Sequence, residues 1–146
     1  WTSTGETGKL AYVVEQFRWN KWIKVGEVDG VGTQDANAYT FQVTPHSGEN
    51  KFRVKQVDYT GRARYSPSVR YREMEIGPVS YVPKERVKDK IEFLSNEQAI
   101  ETMYEIYDSY GNIVKKGFGN VIDAKNLKDG VYYLNYDNMN AKFIKK

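Results

Sequence analysis

Residues 104–146 decide how this chain is interpreted, and they read YEIYDSYGNIVKKGFGNVIDAKNLKDGVYYLNYDNMNAKFIKK. Three short β-type runs are separated by two glycine turns, and two lysines follow the last run. No acid, base, nucleophile or metal-binding cluster accompanies this regular pattern. We therefore interpret the segment as an address or a binding surface rather than an active site.

A turn motif occurs once in each half of the chain. Asp58-Tyr59-Thr60-Gly61 and Asp108-Ser109-Tyr110-Gly111 both place aspartate first and glycine fourth. The aspartate can accept hydrogen bonds from the following amides, and glycine tolerates the positive φ that leads back into a strand. Both motifs predict tight hairpin turns.

The remaining pattern is also of the β type. Before residue 77, strands are predicted at 10–18, 22–28, 38–43, 51–57 and 62–75, and Pro67 marks a bulge or an edge in the last. After residue 86, strands are predicted at 91–94, 102–107, 112–116, 121–123 and 131–136, and residues 143–144 close the sheet. The sequence predicts an all-β protein of two small antiparallel β-sandwich modules, residues 1–76 and residues 87–146, joined by a linker at 77–86 that contains two prolines.

Composition excludes several classes of protein. The 146 residues carry a net charge of +3 with both signs interspersed, so no basic stripe indicates nucleic acid. The absence of cysteine excludes a disulfide scaffold, and no apolar run is long enough to enter a membrane as a helix. Because Trp1 stands in strand-like sequence, we expect the chain to be part of a longer protein.

Three features could carry chemistry, and each has a simpler interpretation. His46, the single histidine, stands in a turn and is interpreted as a solvated loop residue. The oxygen-rich loop 29–35 lacks the ligand spacing of a calcium site. Glu97, Glu101 and Asp108 suggest paired carboxylates, but nothing encloses them, and a solvated face is the simpler interpretation. We expect no catalytic residue, no metal and no cofactor.

Aromatic residues of the first half leave one alternative open. Trp19 and Trp22, with Tyr12 and Tyr39, could form a platform for sugar rings, as in the carbohydrate-binding modules of polysaccharide-degrading enzymes. A tryptophan in a β-sandwich more often belongs to the core. Coplanar, exposed rings at Trp19 and a second aromatic would favour the sugar platform.

The first half also resembles a known family. Its matching positions include Trp22, Gly26, the run Tyr39-Thr40-Phe41, and the run Phe52-Arg53-Val54-Lys55-Gln56-Val57-Asp58 with Gly61 three residues later. They are similar to the fibronectin type III-like domains near the C-terminus of large secreted bacterial proteins. The resemblance implies an Ig-like β-sandwich that lacks its first strand and serves as a spacer or docking module beside an upstream catalytic domain.

The second half resembles the C-terminal sorting domain of type IX secretion cargo. The matches include Ile106-Tyr107-Asp108, Gly111, Ile122-Asp123, the run Gly130-Val131-Tyr132-Tyr133-Leu134, and Lys145-Lys146. The family usually opens with a Pro-Asn-Pro turn, whereas this chain has Val82-Pro83-Lys84.

This second resemblance implies an export signal and its partners. Cargo of this kind crosses the periplasm of a Gram-negative bacterium, is recognised by the type IX translocon at the outer membrane, and is cut by a surface sortase that leaves it at the cell surface. The implied translocon-recognition residues are Gly111, Asp123, Leu127, Gly130, Tyr132, Phe143, Lys145 and Lys146. The implied sortase cleavage region is Glu75, Ile76, Gly77, Pro78, Val79 and Ser80.

The lysines at the end of the chain, Lys142, Lys145 and Lys146, allow two compatible interpretations. Lysine on an edge strand discourages edge-to-edge pairing. A translocon component could also recognise the last strand by β-augmentation, because an exposed terminal strand offers unpaired backbone groups. Where the resemblance holds, we favour recognition.

Overall fold

A computed structural model describes residues 1–146 and consists of β-strands, turns and loops without a helix. The all-β prediction is confirmed. The sixteen strands are β1 (Thr2–Ser3), β2 (Tyr12–Arg18), β3 (Lys21–Val28), β4 (Asn37–Ala38), β5 (Gly48–Val57), β6 (Ala63–Tyr65), β7 (Val69–Glu73), β8 (Val79–Val82), β9 (Arg86–Val87), β10 (Lys90–Ser95), β11 (Gln98–Ala99), β12 (Thr102–Tyr107), β13 (Ile113–Gly119), β14 (Val121–Asp123), β15 (Gly130–Tyr136) and β16 (Met139–Lys145).

The chain divides into two compact units. The first unit comprises Trp1–Pro45 and Glu49–Tyr71, and the second comprises His46–Gly48 and Arg72–Lys146.

The first unit is built on one large antiparallel sheet. Its strand order is β3-β2-β5-β6, with β7 also pairing with β5, and the short pair β1-β4 forms a separate sheet. Trp19 and Asn20 connect β2 to β3 and both have positive φ, 51° and 62°, as a two-residue hairpin turn requires. The pairing of β2 with β3 shifts its register between Val14 and Glu15, which stand opposite Gly26 and Lys24.

Two predicted strands of the first unit are wrong in extent. Of the predicted strand 38–43, only Ala38 forms a strand, in β4, where it pairs with Thr2 of the short strand β1. The Tyr39 backbone still exchanges hydrogen bonds with Trp1 at 2.8 and 3.0 Å, but no strand pairs with residues 40–43. The predicted strand 62–75 is broken between β6 and β7. Ser66 Oγ accepts the Val54 amide hydrogen at 2.8 Å there, just before Pro67.

The second unit is a sandwich of two sheets around one apolar core. One sheet has the order β11-β10-β14, with β8 also on β10, and the other has the order β13-β12-β15-β16-β9. Inward residues alternate along the strands, as in Ile91 and Phe93 of β10 and Tyr132, Leu134 and Tyr136 of β15. Aromatic rings fill much of this core.

The predicted linker at 77–86 is not an open connector. Its residues 79–82 form β8, which pairs antiparallel with β10, and Val79 and Tyr81 are buried in the core. Pro78 and Pro83 flank this strand rather than interrupt it, which is the position that proline tolerates in a sheet. The alternating apolar residues Val79 and Tyr81 therefore indicate a strand here, although the two prolines suggested a linker.

Both predicted Asp-x-x-Gly turns are confirmed. At Asp58 and at Asp108 the carboxylate accepts the amide hydrogens two and four residues later, at 2.9–3.0 Å, and the fourth-position glycine has φ of 85°. Hydrogen bonds from Thr60 and from the Arg62 amide lower the pKa of Asp58, and the Asn112 and Tyr110 amides lower the pKa of Asp108. Each turn is fixed by its own carboxylate.

Candidate functional site

The last strand, β16, is the centre of the predicted recognition surface. It pairs with β15 along its whole length and, at its end, in parallel with β9, where Ile144 stands opposite Arg86. The Ile144 amide donates to the Glu85 carbonyl at 2.9 Å, and the Lys146 amide donates to the Val87 carbonyl at 3.1 Å. The prediction of an exposed terminal strand is wrong for these residues, because β9 already occupies their outer edge.

The three terminal lysines differ in exposure. Lys145 is 8% exposed, whereas Lys142 and Lys146 are exposed. The side chains available to an outside partner at this end of the chain are those of Lys142 and Lys146.

The other predicted recognition residues fall into two groups. Tyr132 and Phe143 are in the core, with ring centroids 5.5 Å apart and nearly parallel, and Leu127 packs against that core. Exposed positions are Gly111, Asp123, Gly130 and Lys146. The buried group can act only through the fold, and the exposed group can contact a partner.

A loop connects β14 to β15 and carries several of these positions. Asp123 Oδ1 accepts the Lys125 amide hydrogen at 3.0 Å, which fixes the start of the loop. The Tyr132 hydroxyl donates to the Lys128 carbonyl at 2.7 Å and fixes its end. Leu127 between them points to the core. The loop is thus held at three points and presents a defined surface.

Accessibility varies along the predicted cleavage region. Glu75 and Pro78 are exposed, Ile76 packs partly against the core, and the Gly77 carbonyl accepts the Ser95 hydroxyl at 3.0 Å. Val79 is 6% exposed, and Ser80 pairs with Leu94 inside the sheet. A protease reaches the residues before β8 more readily than those within it.

The structure does not join the two predicted sugar-binding indoles. Trp19 lies in the hairpin turn, whereas Trp22 lies on β3 and contacts Phe17 edge-on at 5.3 Å between ring centroids. One face of Trp22 is covered by the Arg53 guanidinium, whose Cζ lies 4.2 Å from the ring centroid. Both indoles are half-buried, and no ring contact connects them.

Trp22 instead belongs to a surface that sequence reasoning missed. We name it the cation–aromatic face, and its residues are Phe17, Trp22, Lys51, Arg53, Lys55 and Tyr65. The sequence indicates this surface, because side chains alternate between the two sides of a strand and the basic residues at 51, 53 and 55 therefore fall on one side. The net charge of each half of the chain does not show this row of basic residues.

The most enclosed carboxylate of the first unit belongs to Glu6. Its oxygens accept hydrogen bonds from the Tyr39 hydroxyl at 2.9 Å, the Tyr12 hydroxyl at 3.1 Å and the Asn37 amide. Burial by itself raises the pKa of Glu6, but these donors outweigh it and the pKa is lowered. Burial also raises the pKa of Tyr39. This network connects the N-terminal segment to the loop before β5.

The remaining chemical candidates do not assemble into a site. His46 is 4% exposed, with Nδ1 2.7 Å from the Ser47 carbonyl oxygen, so its interpretation as a solvated residue is wrong. Glu97 and Glu101 are exposed, and Asp108 fixes its own turn. Across residues 1–146, no group of three or more His, Cys, Asp or Glu side chains could hold a metal ion.

The second half of the chain is similar to a known family. Residues 87–146 match the secretion system C-terminal sorting domain. The resemblance to type IX cargo is therefore confirmed for this part of the chain, and the match supports a secretion-signal role for a secreted or cell-surface protein. The fibronectin type III resemblance of residues 1–76 stays a prediction. The family match begins at β9, so β8 lies outside it although it packs into the same core.

No curated protein matches the chain. The crystal structure of dimeric latent PorU from Porphyromonas gingivalis is similar at 15% identity and a TM-score of 0.31, over 98% of this chain and 16% of that one. The chain thus spans about a sixth of the length of that protein. No helix of the structure could cross a membrane.

Proposed function

We propose that residues 87–146 act as the export signal of a type IX cargo protein, without catalysis of their own. The observation that carries this proposal is the family match over these residues. The proposed partners are the type IX translocon and a surface sortase, and the proposed destination is the outer surface of a Gram-negative cell. Residues 1–76 would serve as a spacer or docking module between an upstream domain and the signal.

The division of the sorting domain into buried and exposed positions supports a mechanism in two parts. Tyr132 and Phe143 are buried in the core of the sandwich, and the exposed positions Asp123, Gly130 and Lys146 would contact a partner. Lys142 adds a second exposed cation near the end of the chain. The translocon would then read the surface of a folded domain rather than capture a loose strand.

Export of a passive reporter tests the proposal. The whole chain is fused after the reporter in a host with type IX secretion, and surface reporter is measured by protease accessibility. We expect export of the fusion, and loss of export when residues 142–146 are deleted. Reporter left in the periplasm with the intact chain would refute the proposal.

Deletion also removes core residue Phe143, so a second variant separates recognition from folding. Lys142→Gln with Lys146→Gln changes two exposed side chains, and we expect several-fold weaker export with unchanged circular dichroism. Lys9→Gln with Lys24→Gln removes the same charge from the first unit and should export normally. Equal export of both double variants would exclude the terminal lysines from recognition.

Sortase cleavage is proposed for the exposed residues before β8. Glu75 and Pro78 are accessible, whereas Val79 and Ser80 are held in the sheet. Mass spectrometry of the surface product should therefore place its new C-terminus between Met74 and Pro78. A cut at Val79 or Ser80 would mean that β8 leaves the sheet before cleavage.

A carbohydrate-binding module is the alternative for residues 1–76. Neutral sugars stack on free aromatic faces, and Arg53 covers one face of Trp22. Binding of neutral glycans on an array that is lost in Trp19→Ala or Trp22→Ala would support the alternative, and absence of such binding would discard it.

A further inference from the structure

The cation–aromatic face arranges three cations in a row on β5. Lys51, Arg53 and Lys55 alternate along the strand and therefore point to one side of the sheet, about 7 Å apart from one to the next. Rings from neighbouring strands lie between them. Lys51 Nζ is 5.6 Å from the Phe17 centroid, and Lys55 Nζ is 6.0 Å from the Tyr65 centroid.

The central cation is held in place from three directions. Arg53 Cζ lies 4.2 Å from the ring centroids of both Trp22 and Tyr65. Its Nε donates to Glu15 Oε1 at 2.8 Å. The ion pair with Glu15 uses the Nε–H of the guanidinium, and the other N–H donors of Arg53 remain for an outside acceptor. A held arginine loses little side-chain entropy when it binds an anion.

The face carries uncompensated positive charge. Glu15 is the only carboxylate in an ion pair with any of these three cations, since neither Lys51 nor Lys55 has an acidic side chain within 4 Å. One carboxylate against three cations leaves two positive charges, and Lys51, Lys55 and Tyr65 are partly or largely open to solvent. A structural ladder that only stabilised the sheet would not need this surplus.

We propose that the cation–aromatic face binds an acidic polysaccharide. A row of fixed cations fits a polymer with repeated carboxylate or sulfate groups, and the ring edges of Trp22 and Tyr65 supply apolar contact to the sugars. Nucleic acid fits less well, because base stacking needs a free ring face and Arg53 covers one face of each ring. The choice of a polymer found outside cells rests on the proposed export of the chain.

Binding to defined polymers tests the proposal on the whole purified chain. The probes are alginate, dextran sulfate, neutral dextran and single-stranded DNA, measured by biolayer interferometry at low salt and again at raised salt. We expect salt-sensitive binding to one or both acidic polysaccharides and none to dextran. Lys51→Gln with Lys55→Gln should weaken binding about tenfold. Tyr65→Leu should weaken it as well, because Arg53 loses a supporting ring.

The matched control removes the same charge elsewhere. Lys125→Gln with Lys128→Gln changes two exposed lysines of the second unit and should bind as the wild type does. Circular dichroism verifies that each variant is folded. The proposal is overturned if the chain binds neither acidic polysaccharide, if both double variants weaken binding equally, or if DNA binds more tightly than either polysaccharide. Export of the reporter is unaffected by this outcome, so the two proposals fail separately.

Discussion

At the scale of single residues, Phe143 shows how a terminal position stabilises the sorting domain. The side chain is 1% exposed and stacks on Tyr132. Phe143→Ala leaves a cavity in a packed core and should lower the free energy of unfolding by about 3–5 kcal/mol. Phe118 lies on the same sheet but is 51% exposed, and Phe118→Ala should cost less than about 1 kcal/mol. Urea denaturation of the whole chain measures both, and similar losses would contradict the assigned core.

Glu6 gives a residue-scale prediction for pH. Its pKa is lower in the folded chain than in the unfolded chain, so the unfolded state takes up the proton first as the pH falls. The stabilisation from the charged carboxylate is therefore present above the unfolded pKa and lost as the pH falls through the folded value. Glu6→Gln should lower the melting temperature at neutral pH and flatten its decline between about pH 5 and 3. Glu49→Gln, at an exposed carboxylate, should leave the decline in place. An unchanged pH profile in Glu6→Gln would contradict the role of the network.

At the scale of elements, the pairing of β16 with β9 is measurable without mutation. The amides of Ile144 and Lys146 donate to carbonyls of residues 85 and 87, so their hydrogen exchange should be slow. We expect them to exchange at least about a hundredfold more slowly than the amide of Ser109 in its exposed turn, which corresponds to roughly 2.7 kcal/mol for opening. Exchange of all three at similar rates would show that the last strand is a free edge.

The elements also show what local sequence can and cannot predict. The bounds of β12 and β14 agree with the strands predicted at 102–107 and 121–123. The Asp-x-x-Gly motifs also predict the hydrogen bonds that fix their turns, because the residues involved are close in the sequence. The parallel pairing of Arg86 with Ile144 joins residues far apart in the chain, so no local sequence pattern predicts it. For the candidate site, the family residues were recognisable, but which of the adjacent residues Tyr132 and Tyr133 is buried depended on the tertiary fold, which buries Tyr132 and leaves Tyr133 46% exposed. The row of Lys51, Arg53 and Lys55 can be predicted only when the charges are assigned to the two sides of the strand.

At the scale of the whole molecule, the two units differ in how many apolar side chains they bury. Twelve buried apolar residues form one cluster in the second unit. In the first unit only Tyr12, Val14 and Tyr39 are buried apolar residues, Gln16 and Arg18 are buried polar ones, and an apolar groove of about 550 Å³ opens beside Phe52 and Val69. Since buried apolar area is the main stabilising contribution, the first unit should unfold first.

The tryptophans make this order of unfolding measurable. All three, Trp1, Trp19 and Trp22, lie in the first unit, so indole fluorescence reports on that unit alone, whereas far-ultraviolet circular dichroism reports on both. We expect the fluorescence midpoint in urea to precede the later part of the circular dichroism transition. Phe143→Ala should move that later part to lower urea and leave the fluorescence midpoint in place, because its cavity lies in the other core. Coincident transitions that shift together in Phe143→Ala would show that the chain unfolds as one cooperative body, and the two units would then share their stability.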